Sequence, residues 1–134
     1  MKTNQKIKTS LILLLMMLGF ANLTAQNFSA KDINHIWTRD DGMKISILGT
    51  GTFGEGGNAL VMSVGKSGWP ASTQNYAYKF RAIFYVRDNT WKAVNYRHRV
   101  ETGARIEDGE VIFVMSDDKK SMKILGGSNT YTRD

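Results

Sequence analysis

Tyr76-Ala77-Tyr78-Lys79-Phe80-Arg81-Ala82-Ile83-Phe84-Tyr85-Val86-Arg87, then Asp88-Asn89, then Thr90-Trp91-Lys92-Ala93-Val94-Asn95-Tyr96-Arg97-His98-Arg99-Val100: two runs rich in aromatic and β-branched residues flank a pair that tolerates tight-turn geometry. This is the pattern of a long antiparallel hairpin. With a two-residue turn at Asp88-Asn89, Val86 pairs with Trp91, Phe84 with Ala93, Ala82 with Asn95, Phe80 with Arg97 and Tyr78 with Arg99. Side chains alternate along a strand, so Tyr76, Tyr78, Phe80, Ala82, Phe84 and Val86 share one face with Trp91, Ala93, Asn95, Arg97 and Arg99. A three-residue turn sends the whole set to the opposite face and leaves Arg97 and Arg99 as solvated exterior residues.

Outward from this hairpin the chain repeats the theme at intervals of about ten residues. Candidate strands cover His35 to Arg39, Met43 to Leu48, Ala59 to Val64, Ala104 to Ile106, Glu110 to Ser116, Ser121 to Leu125 and Thr130 to Arg133. Asp40-Asp41-Gly42, Glu107-Asp108-Gly109 and Asp117-Asp118-Lys119-Lys120 lie between strands as tight-turn compositions. Ser29 and Asp32 form a capping-box variant, with Phe28 and Ile33 as its hydrophobic staple, so a short helical turn leads into the first strand. No helical period of ten or more residues follows that could cover an open sheet. The reading is therefore an all-β, antiparallel, up-and-down β-barrel of about eight strands, in which closure removes both sheet edges. A β-sandwich is the alternative.

The first 25 residues carry a different signal. Lys2, Lys6 and Lys8 precede an apolar run from Leu11 to Phe20, and Leu23-Thr24-Ala25 offers a small residue for cleavage. This is the plan of a secretory leader, too short to span a bilayer, with residues 26–134 as a single barrel domain. The expected location is secreted or periplasmic, with no stable membrane insertion. The chain has no cysteine, which excludes disulfides, a lipidated amino-terminal Cys and thiol chemistry. Without the leader lysines, 15 basic residues face 12 acidic ones, too mild a surplus for nucleic-acid binding.

Several motifs invite chemistry and fail on context. Gly49-Thr50-Gly51-Thr52-Phe53-Gly54 matches GxGxxG, but a strand rather than a helix follows, so it reads as a glycine-rich hairpin loop that could act as a flap. Most carboxylates are accounted for by turns, leaving Glu55, Glu101 and Glu110 as loose acids. His35 and His98 lack metal-ligand spacing, and no GxSxG is present. No enzymatic activity, metal or cofactor is expected.

A short helical turn, a first-strand tryptophan in His35-Ile36-Trp37, a meander, and a terminal Tyr131-Thr132-Arg133 together resemble the calycins, the superfamily of small barrels that includes lipocalins. The resemblance implies a structural pair in which Arg133 packs over Trp37, a contact worth about 0.5 to 2 kcal/mol. His35 departs from it, standing where the lipocalin motif has glycine. It further implies a lumen that binds a small apolar or amphiphilic ligand, with Tyr78, Phe80, Phe84, Trp91, Asn95, Arg97 and Arg99 as its lining. The arginines would hold an anionic head group. A barrel filled by its own side chains would instead serve as an interaction or inhibitor module. Trp69-Pro70, in a long loop, would then be an exposed contact, or else a lid folded back on the barrel.

Overall fold

A computed structural model describes residues 27–99 and 102–134; the leader lies outside the described residues. Eight strands run as β1 (Ile36–Arg39), β2 (Lys44–Leu48), β3 (Gly57–Ser63), β4 (Tyr78–Arg87), β5 (Thr90–His98), β6 (Arg105–Met115), β7 (Ser121–Ile124) and β8 (Thr130–Arg133). Each pairs antiparallel with the next, and β8 returns to β1 to close the barrel. Trp37 stands opposite Arg133 and Arg39 opposite Tyr131 across that seam. The sandwich alternative is thereby set aside. Strands β4 to β6 are nine to eleven residues long and form one tall wall, while β1, β7 and β8 have four each.

Glu107-Asp108-Gly109 is not a turn. The two short strands expected on either side of it are one continuous strand, β6, and the three residues form a bulge within it. Val94 pairs with Glu110 but Tyr96 pairs with Glu107, so β6 carries one residue more than β5 over this stretch. Gly109 absorbs it at φ +77°. A glycine with positive φ serves a bulge as readily as a hairpin, and composition alone does not separate the two.

The two ends of the barrel differ. At one end a 3-10 turn, Ala30–Ile33, acts as a plug. The Ser29 amide donates to the Asp32 carboxylate at 2.8 Å, as the capping-box reading requires. The plug is fastened from inside, because the indole N–H groups of Trp37 and Trp91 donate to the Ile33 and Ala30 carbonyls at 2.9 and 3.0 Å. Phe28 packs edge-on against Trp91, with ring centroids 6.2 Å apart. The glycine-rich loop lies at this same plugged end, tied down where Asn34 exchanges hydrogen bonds with the backbone of Thr50. The described chain both enters and leaves here, since the Asn27 carbonyl accepts from Lys119 and the Asp134 amide donates to the Ile36 carbonyl.

The other end is the mouth. It is framed by the Asp40-Asp41-Gly42 turn, the loop from Val64 to Ala77, and the start of β8, where Asp40 donates to the Thr130 carbonyl. The long loop folds inward, leaving Trp69 only 9% exposed, so Trp69 is a lid and not a protruding contact. Gly65 sets the base of this lid. Its φ is +53°, and a methyl group there would lie 2.3 to 2.7 Å from backbone atoms of Gly42, Met43 and Asp41. Backbone atoms cannot step aside as a side chain can. Gly65→Ala is therefore expected to cost about 2 to 3 kcal/mol, read as a lowered urea midpoint; a wild-type midpoint would show that the lid base is not packed this closely.

Candidate functional site

The hairpin that decides the fold also decides where its side chains go. Its turn has two residues, as Arg87 pairs with Thr90, yet the next pair is Tyr85 with Trp91, so Val86 is an extra residue in β4. A second extra residue lies between Arg81 and Phe84, where Ala82 takes φ +50°. Two single-residue slips restore parity, so Phe80 pairs with Asn95 and not with Arg97. The pairings of Val86 with Trp91, Phe84 with Ala93, Ala82 with Asn95 and Tyr78 with Arg99 are likewise replaced.

Phe80, Trp91 and Ala93 are buried in the barrel interior. Phe84 lies between the slips and faces outward, 37% exposed, while Ile83 is buried and Tyr85 packs against the core. Phe80 and Phe113 meet edge to face at 4.8 Å, and Tyr131 closes the group at 6.1 and 6.4 Å from them. These three rings, above Trp37, Trp91 and Ile33, fill the middle and the plugged half of the lumen.

Above the rings the mouth is polar. Lys79 is only 6% exposed, because a register shift against β3 turns Lys79 and Phe80 inward in succession. Its ammonium donates to the Asn95 side-chain oxygen and to the Tyr96 carbonyl, and sits 4.7 and 5.5 Å from the ring centroids of Phe80 and Trp69. Among the described residues no carboxylate is ion-paired with it. Burial, reinforced by the nearby Arg39 charge, pushes the Lys79 pKa down to about 8. Arg39 itself is paired with Asp41. Burial drives the Tyr131 phenol up to about 12, against the opposing pull of the Arg39 guanidinium.

Arg97 reaches the rim half exposed, where it pairs with Asp108 at 3.2 Å. Arg99 is exposed at the start of the β5–β6 connection. Trp37 and Arg133 occupy opposite positions in the β1–β8 ladder, as the resemblance implies. The cation–ring contacts among the described residues involve Lys79, Arg81, Lys92, Arg105 and Lys119, however, and not Arg133. Trp37 makes its polar contact with the plug instead.

Open concavities lie on the outside of the tall wall. One, of about 580 Å³, is lined at the rim by Ser72, Thr73, Tyr76, Tyr78, Arg81, His98 and Arg105. Another, of about 670 Å³, runs from the glycine-rich loop across Phe53, Ala82, Val94 and Tyr96, with Asn58, Glu55 and Glu107 at its sides. Arg81 lines both, so the two concavities adjoin at its side chain as a two-part groove along β4 to β6. The bulge at Ala82 builds its floor, because Gly56 approaches so closely that a methyl group would lie 2.9 Å from Ala82 backbone.

Of the residues expected to line a binding site, Tyr78 alone belongs to this groove. Phe80, Trp91 and Asn95 belong to the interior or the mouth, and Phe84, Arg97 and Arg99 to exposed surface. Arg81, Arg105, Tyr76, Tyr96 and Phe53 were not expected as a group. The available signal was the alternation of Arg81 against Phe80, which places an arginine on the outer face of the same hairpin. No group of three or more His, Asp or Glu side chains gathers among the described residues as a metal site. No family model matches the chain, and no curated protein or solved structure shows significant similarity to it.

Proposed function

We propose that the protein is an exported, non-enzymatic barrel of the calycin type that acts as an interaction module, engaging a partner with the outer wall and rim of a filled barrel. One observation carries this reading. The space that would hold a lumenal ligand is taken by Phe80, Phe113 and Tyr131, each fully buried and packed edge to face. Interiors packed in this way exclude guests unless side chains are removed. The concavities on the outer wall, by contrast, are open and carry exposed aromatic and cationic groups, as binding surfaces do.

Titration with cis-parinaric acid, a fluorescent fatty acid, tests this directly. The expected result is no saturable one-to-one uptake and no change in the Phe80 and Phe113 ring resonances. Stoichiometric uptake with those resonances displaced would overturn the filled-barrel reading. A second reading draws on Lys79, a buried cation without a carboxylate, which a short carboxylate could reach if Trp69 swung aside. Octanoate in the same assay would then alter Trp69 fluorescence while leaving Phe113 unmoved.

A further inference from the structure

We propose that the outer-wall groove binds an extended polypeptide segment in which an acidic side chain and an apolar one two residues further on share a face, the carboxylate between Arg81 and Arg105 and the apolar side chain against Phe53. This rests on the interaction-module reading and adds the chemistry of the partner.

Three features of the groove support it. First, the two arginines are preorganised. The Arg81 guanidinium lies 5.4 Å from the Tyr78 ring centroid and that of Arg105 lies 4.7 Å from the Tyr96 centroid. Arg105 also has one nitrogen 3.5 Å from the Tyr78 carbonyl. A guanidinium resting against a ring is confined before it meets a ligand, and so loses less freedom when it pairs with a forked oxyanion. Second, the rim half of the groove contains no carboxylate among the described residues lining it, and Tyr76 stands 85% exposed beside it.

Third, the other half excludes a second negative charge. Glu55 and Glu107 flank it, while Phe53, Ala82 and Val94 provide apolar surface, and Phe53 is itself 53% exposed. A sulfated glycan or a nucleic acid repeats its charge at every unit and would meet those two acids. A polypeptide can place one carboxylate and then an apolar side chain, and Asn58 on the groove wall can bond its backbone.

Fluorescence polarisation of the barrel with a fluorescein-labelled heptapeptide, acetyl-Gly-Ser-Glu-Phe-Leu-Ser-Gly-amide, tests the assignment. Saturable binding is expected, weakened about tenfold or more by Arg81→Gln with Arg105→Gln, and by a similar factor when the peptide glutamate is replaced by glutamine. Both arginines are on the surface, and an unchanged thermal midpoint shows that the variant is folded. No saturable binding up to about 1 mM peptide, or equal affinity for the glutamine peptide, would overturn the proposal. A heparin hexasaccharide that binds through the same arginines where the peptide does not would overturn this partner assignment alone. Peptide-induced shifts at Phe80 and Phe113, instead of at Tyr76 and Tyr96, would sink the outer-wall reading with it.

Discussion

Replacing Trp37 by alanine is expected to lower the unfolding free energy by about 4 to 5 kcal/mol, the largest loss from any single substitution considered for this barrel. The indole is fully buried and is among the largest side chains in the core. Its removal leaves a cavity in the plugged half, and the Ile33 carbonyl loses the N–H that fastens the plug. Small domains have about 5 to 15 kcal/mol of stability in all, so the variant should lie close to its unfolding threshold. Urea denaturation followed by circular dichroism measures the loss. Trp37→Phe separates the two contributions, since it retains most of the apolar bulk and removes only the donor. A loss below about 1 kcal/mol for the alanine variant would mean that the plug, not the tryptophan, maintains the closed end.

The second large effect concerns Lys79 and pH. Its pKa is about 8 in the folded barrel, against an ordinary 10.5, so between those values the unfolded chain binds the extra proton. Stability therefore rises with pH through the window from 8 to 10.5 and is lowest, as far as this group decides it, below pH 8. The shift corresponds to roughly 3 kcal/mol across the window. Lys79→Met removes a buried charge and keeps much of the volume. It should stabilise the barrel at pH 7 by about 1 to 2 kcal/mol, less than the full shift because the Asn95 and Tyr96 oxygens lose their donor. The variant's advantage should fall by roughly 3 kcal/mol as pH rises from 8 to 10.5, so that it passes through zero and the wild type is the more stable protein at the top of the window. Parallel stability curves for the two proteins over that range would show that Lys79 is not held in a desolvated site.

The architecture was legible because its signals are local. Asp88-Asn89, Asp40-Asp41-Gly42 and the Ser29 to Asp32 turn each specify their own conformation, and closure follows from the absence of any helix to cover the sheet. Register was not legible, because it depends on how many residues each strand spends between shared hydrogen bonds. Nothing in the letters of Ala82 or Val86 announces an extra residue, and Ala82 holds a positive φ that its side chain does not favour. Strict alternation placed Lys79 outside and Phe84 inside; the bulges reverse both. The same slips move the anionic-ligand expectation away from Arg97 and Arg99, and the arginines set on tyrosines are Arg81 and Arg105.

The two ends of the described chain leave the barrel together on the plugged side, at Asn27 and Asp134, with Trp69 and Tyr76 at the opposite pole. A support, a reporter or a neighbouring domain joined directly at Asn27 or Asp134 therefore hangs from the blunt base. The molecule stands on that base like a stud, with its tryptophan lid at the far end.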